Sequence, residues 1–195
     1  MPGRPRKFSL VALAALALMA FAGCGDSHTR VTTGTYAGES GANAPYLNVG
    51  PLTYEVQLSR QLSPFDTEDA AYLEGLSPIQ RALTPEQEWF AVFLQVYNHT
   101  SIGEPAATAV TIADTQGKVY TPLTPDASNR FAYRAGTVPA KGRLPVPDSI
   151  AAAATTQGVL LLYKIQIASL NNRPLTLRIA DPTDASRTAS AELDV

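Results

Sequence analysis

Apolar and polar positions alternate along much of this chain with a period of two, the pattern of strands that bury one face. Leu52, Tyr54, Val56 and Leu58 alternate with Thr53, Glu55, Gln57 and Ser59. The pattern recurs at Leu175, Leu177 and Ile179, and again at Ala189, Ala191, Leu193 and Val195. Two runs, Trp89–Tyr97 and Val159–Ile167, are apolar on both faces for part of their length, which predicts central strands. Ala107–Ala113 and Lys118–Thr121 flank Asp114-Thr115-Gln116-Gly117, a hairpin turn in which glycine supplies a positive φ. Weaker strands are expected around Arg130–Tyr133 and Ala151–Thr155.

Helical signals are brief and fall between the first two of these strands. Ser77-Pro78-Ile79-Gln80 and Thr84-Pro85-Glu86-Gln87 both have the capping-box order, with proline at the first helical position. Asp66, Glu68 and Asp69 precede Ala70–Leu73, placing acidic residues where a helix dipole favours them. The expected architecture is all-β: an antiparallel sandwich of about seven or eight strands with a short helical insert between the first two.

The N-terminus follows a different pattern. Arg4, Arg6 and Lys7 precede an uncharged apolar run of 16 residues, Phe8–Gly23, which ends at Cys24. That is short of the ~20 residues a spanning helix needs, and it has the order of a secretory signal. Phe21-Ala22-Gly23-Cys24 resembles a bacterial lipobox, whose usual first residue is Leu. Cys24 is the only cysteine of the chain, and the sequence turns polar directly after it. Residues 1–23 therefore read as a lipoprotein signal peptide and Cys24 as the lipidated residue. Residues 24–45, rich in Gly, Ser and Thr, read as a flexible tether. Residues 46–195 are the folded domain, long enough for one core.

This reading changes the composition. The full chain of 195 residues carries 15 basic and 17 acidic side chains, a net charge of −2. Removal of Arg4, Arg6 and Lys7 leaves 12 basic against 17 acidic, or −5, and both methionines (Met1 and Met19) go with them. No basic domain that would bind nucleic acid remains. A lipidated single cysteine and no methionine exclude disulfides and soft-metal handling.

Tyr46-Leu47-Asn48-Val49-Gly50 and Tyr54–Arg60, with Asp66–Leu76, Trp89-Phe90, Gly158–Ile165 and Asn172-Arg173-Pro174-Leu175, resemble a group of actinobacterial envelope lipoproteins. More distantly, a strand ending in Asn, an Asp-x-x-Gly turn and a late apolar strand are similar to the immunoglobulin-like extracellular domains of Gram-positive lipoproteins. The resemblance implies an immunoglobulin-like β-sandwich and an envelope location. It implies no activity and no catalytic residues.

Few constellations carry chemistry. His99, Ser101 and Asp114 contain the residue types of a hydrolytic triad, but no nucleophile elbow accompanies them. Asp66, Glu68 and Asp69 offer oxygen ligands for Ca²⁺, yet helix capping accounts for them without a metal. Arg60 and Arg173 flank strand ends and are expected to pin loops by pairing with that acidic cluster. Trp89, Tyr97, Tyr120, Phe131 and Tyr133 are the aromatics that could face a ligand, against the ordinary role of strand aromatics as core. No catalytic residue, metal site or cofactor is expected. The function expected is that of a non-enzymatic binding or structural module, extracytoplasmic and anchored to the cell membrane through Cys24, with an envelope protein or glycan as partner. The alternative is a glycan- or small-molecule-binding lipoprotein associated with a transporter.

Overall fold

The computed structural model describes the backbone of residues 28–32 and residues 46–193. The signal peptide, Cys24, the rest of the 24–45 segment, and Asp194 and Val195 lie outside the described residues. In chain order the elements are β1 (His28–Thr32), β2 (Tyr46–Val49), β3 (Leu52–Leu62), α1 (Thr67–Tyr72), α2 (Pro78–Arg81), β4 (Gln87–Asn98), β5 (Glu104–Pro105), β6 (Val110–Ala113), β7 (Val119–Tyr120), β8 (Thr137–Val138), β9 (Arg143–Leu144), α3 (Ile150–Ala153), β10 (Val159–Gln166), a 3₁₀ turn (Ile167–Asn171), β11 (Leu175–Ala180) and β12 (Thr188–Leu193).

Two sheets face each other. One has the order β1-β12-β11-β6-β7 and the other β10-β4-β3-β2, with β9 pairing the end of β4. Every pairing is antiparallel except β1 with β12, which is parallel. The inner faces meet in a core built from Leu47, Tyr54, Phe90, Leu94 and Tyr163 on one side and Ile112, Leu177, Ile179 and Leu193 on the other. The fold is thus an all-β sandwich, as the period-2 pattern predicts.

A second core lies on the outer face of the β4 sheet. Trp89, Ala91, Phe93, Leu160 and Leu162 point outward there and are covered by Tyr72, Leu73 and Leu76. This is the physical reason that the β4 and β10 segments read as apolar on both faces. β10 is nevertheless the last strand of its ladder, not a central one. Its free edge is closed by irregular chain: Leu160 N–H donates to Phe131 O, and Tyr133 and Leu123 N–H donate to Leu160 O and Leu162 O.

The two cores share strand β3 through a bulge. Val56 pairs with Leu94 and Leu58 with Phe93, leaving Gln57 as the extra residue. Leu52, Tyr54 and Val56 therefore fill the inter-sheet core, whereas Leu58 and Leu62 pack on the outer one. The unbroken alternation from Leu52 to Leu58 predicted one face for all four.

Other expectations are corrected. Ala151–Thr155 is not a strand: Ile150–Ala153 is a helical turn whose Ser149 cap accepts from Ala152 N–H, and alanine favours that state. Arg130–Tyr133 forms only an isolated bridge between Ala132 and Leu160. At Thr84–Gln87 the Gln87 side chain does reach Thr84 N–H, but Gln87 already starts β4 and no helix follows. Part of the expected tether is a strand, β1, because backbone pairing to the exposed edge of β12 needs no apolar periodicity. The Asp114–Gly117 hairpin stands as predicted, with Gly117 at φ 83°.

Candidate interaction surface

The helical layer over the outer core is fixed to the sheet by polar side chains. Asp66 caps α1 by accepting from Glu68 and Asp69 N–H. Buried Asp69 accepts from both terminal guanidinium nitrogens of Arg60 on β3, at 2.9 and 2.5 Å, and from Ser63 N–H at 2.8 Å. Burial would raise the Asp69 pKa, but these hydrogen bonds and the Arg60 charge outweigh it and hold the carboxyl below the usual range. At the other end of α1, Arg81 donates to Leu73 O. Buried Asn129 donates to Tyr72 O and Glu74 O and accepts from Phe131 and Ala132 N–H. Lys164 spans Trp89, 5.6 Å from its ring centroid, to reach Ile79 O and Ala82 O.

This scaffold supports an open groove of about 410 Å³ lined by α1, α3 and Phe131. Its floor is aromatic: Tyr72 stands edge-on to Phe93 at 5.0 Å and to Phe131 at 4.9 Å. The walls are Ala71, Ile150, Ala153 and Ala154, with Glu68 as the charged group. Tyr72 donates its hydroxyl proton to Glu68 at 2.9 Å. Burial, then that hydrogen bond and charge, pushes the Tyr72 pKa up to about 12. Beside this layer, Phe65 is 97% exposed and Ile79 87%. Phe65 occupies the position of a hydrophobic staple before the α1 cap, but its partner position holds the small Ala70, which leaves the ring in solvent.

Every member of the acidic cluster is engaged within the fold. Asp66 caps α1, Glu68 accepts from Tyr72, and Asp69 binds Arg60. Among the described residues no group of three His, Cys, Asp or Glu side chains is placed to hold a metal ion. Arg60 pairs with the cluster as expected; Arg173 instead donates to Leu170 O and closes the 3₁₀ turn. Asp114 is buried at the β6–β7 hairpin, where Ser169 donates to it at 2.7 Å and Tyr120 is in turn 2.7 Å from Ser169. His99 is exposed and stacks on Tyr97 at 6.1 Å.

The aromatic platform is corrected in two of its five members. Trp89 is buried under the helical layer, and Tyr120 is buried with its hydroxyl held by Ser169 and Gln166 N–H. Phe131, on the groove floor, and Tyr133 are half-buried, and so is Tyr97. It lines a second cleft of about 250 Å³ with His99, Lys141, Arg143 and Pro147. Its hydroxyl donates to buried Glu55 at 3.0 Å, and burial followed by that carboxylate pushes its pKa up to about 12.

No protein-family model matches the chain, and no curated protein matches it in sequence. Among solved structures it is similar to the yjhA protein of Bacillus subtilis, with a TM-score of 0.50 and 11% identity over 77% of this chain and 97% of that one. It is also similar to the candidate lipoprotein ycdA of Bacillus subtilis, at a TM-score of 0.46 and 9% identity over 76% of this chain and 38% of that one. The first likeness is one of fold alone.

The residues that sequence reading missed are Phe65, Asn129, Ile150 and Ala153, whereas Phe131 is among the aromatics expected to face a ligand and does line the groove. Asn129, Ile150 and Ala153 come from two separate stretches, and only the packing of α1 against the 129–132 segment and α3 brings them to this layer. Phe65 carried the one available signal, a large apolar residue in a Ser-Pro-Phe-Asp turn without a large staple partner.

Proposed function

We propose that this chain is a lipid-anchored protein of the cell envelope whose sandwich acts as a non-catalytic interaction module, and that the helical layer is its contact surface. The observation that carries the reading is an exposed Phe65 just before the cap of α1, the helix that lines an apolar, aromatic-floored groove whose scaffold is already fixed. Large apolar side chains held in solvent on a rigid layer suit a protein partner better than a small ligand, which a deeper and more enclosed site would hold. The lipobox-like ending at Cys24 supports the anchor, and the extracytoplasmic location follows from it. The resemblance to actinobacterial envelope lipoproteins and immunoglobulin-like domains points the same way.

A photo-cross-linking residue in place of Phe65 tests this in the membrane-anchored protein. A discrete adduct that disappears with Ile150→Asp is expected, with none from the same probe at Gln116. Equal labelling at both positions would reject the surface.

The second reading, a glycan- or small-molecule-binding lipoprotein working with a transporter, is favoured by the Tyr97–His99 stack in its cleft. It predicts saturation transfer from the Tyr97 ring to a bound saccharide, lost in Tyr97→Ala while the variant keeps a cooperative melting transition and retained in Tyr97→Phe.

A further inference from the structure

β1 enters its sheet at His28 beside Thr188, the first residue of β12. Just before Thr188, the β11–β12 turn is closed by Asp181 N–H donating to Arg187 O. The β2–β3 turn lies at this same end: the position of a Cβ on Gly50 is 2.5 Å from the Asp181 carboxylate. Leu52, just after that turn, pairs with Asn98, the last residue of β4. The loop Asn98–Gly103 therefore belongs to this end too, while the Asp114–Gly117 hairpin and the turn before α1 occupy the opposite one.

The leash from the anchor is short. Cys24 and His28 are separated by four Cα–Cα steps, a fully extended reach of about 14 Å. β4 has 12 residues and runs about 40 Å from end to end. Inverting the domain would lift His28 farther from the leaflet than the leash allows. At the near end, Ile102 is 63% exposed. Its loop is tied down by Asn98, which donates to Ile102 O at 2.7 Å and Val138 O at 3.0 Å and accepts from Thr100 N–H at 2.8 Å. The loop thus holds an apolar tip outward, where the lipid boundary can take it out of water.

We infer that this end of the sandwich, formed by the β2–β3 turn, the 98–103 loop and the β11–β12 turn, is a membrane-apposed surface with Ile102 at the lipid boundary. The inference rests on lipidation of Cys24. It makes β1 an orienting strap, and the sandwich itself becomes the spacer that presents Phe65 at the far end.

The test uses the full chain in membranes. Because Cys24 is the only native cysteine and is acylated, Ile102→Cys and Gln116→Cys each introduce a single free thiol for a bimane label. Quenching by brominated phospholipid should be several-fold stronger at position 102 than at 116. A flexible ten-residue insertion between Asp26 and Ser27 should abolish the difference. Equal quenching in a chain that incorporates palmitate would overturn the orientation and leave the anchor standing, as would protection of position 102 by a protein or second copy without lipid quenching. A difference that survives the insertion would overturn the strap. Absence of palmitate from the wild-type chain would overturn the anchor itself, and the orientation with it.

Discussion

Tyr163 is fully buried between the sheets, and among the described residues its hydroxyl has no hydrogen-bond partner. Burial pushes its pKa up, and the unsatisfied hydroxyl costs stability that the ring does not need. Tyr163→Phe should stabilise the fold by about 1 kcal/mol, raising Tm by roughly 2–4 °C in a calorimetric scan. Arg60→Ala should act in the opposite direction, since it leaves buried Asp69 without its partner. The loss should be about 1.5–3 kcal/mol, toward the lower value because the Arg60 side chain remains 31% exposed and water screens it. An unchanged melting curve would show that the pair contributes nothing. At this scale the sequence was partly legible. Arg60 and Asp69 were expected to pair on charge and position. The aromatics could not be ranked, because the outer face of β4 is covered at Trp89 and open at Tyr97, and alternation does not record where a covering layer ends.

Strand β3 shows what one extra residue does to an element. Deleting Gln57 would remove the extra residue, so that Leu58 opposite Phe93 directly follows Val56 opposite Leu94 and every side chain keeps its face. An alanine inserted between Leu58 and Ser59 would instead turn Arg60 and Leu62 from the outer core toward the inter-sheet core, and the helical layer would lose its floor and its ion pair. The deletion should therefore keep a cooperative thermal transition, and the insertion should abolish it. Loss of the transition in the deletion variant would refute this account. The strands themselves were legible because a half-buried sheet imposes period two on its residues. The bulge was not, because Leu58 fits either face until its partner on β4 is known. Short helices were legible where a cap had room to act, as at Asp66 and Ser77. They were misread at Thr84, where a stronger strand claims the last residue of the cap, and at Ala151, where the capping serine lies outside the window that looked extended.

For the whole molecule, acid is the informative perturbation. Asp69, Asp114 and Asp181 are buried, which alone would raise their pKa values, yet hydrogen bonds to each carboxylate prevail and all three are lowered. Groups whose pKa is lower in the folded state than in the unfolded chain stabilise fully above the unfolded value of about 3.9. That contribution disappears as pH falls through the depressed folded values. Tm should stay level from neutral pH to about 5 and fall below about 4. Ser169→Ala removes a donor to Asp114, so its Tm deficit should be largest at neutral pH and narrow in acid. A deficit that widens in acid would contradict the assignment. Sequence alone determined the all-β class, the hairpin and the two strongest helix caps, because each depends on neighbours within a few residues. The tertiary structure decided which face of β3 serves which core, how the edge of β10 is closed, that part of the expected tether is a strand, and that α1, α3 and Phe131 enclose a groove. Those outcomes depend on contacts between segments far apart in the chain, and local pattern carries no record of what a side chain will meet there.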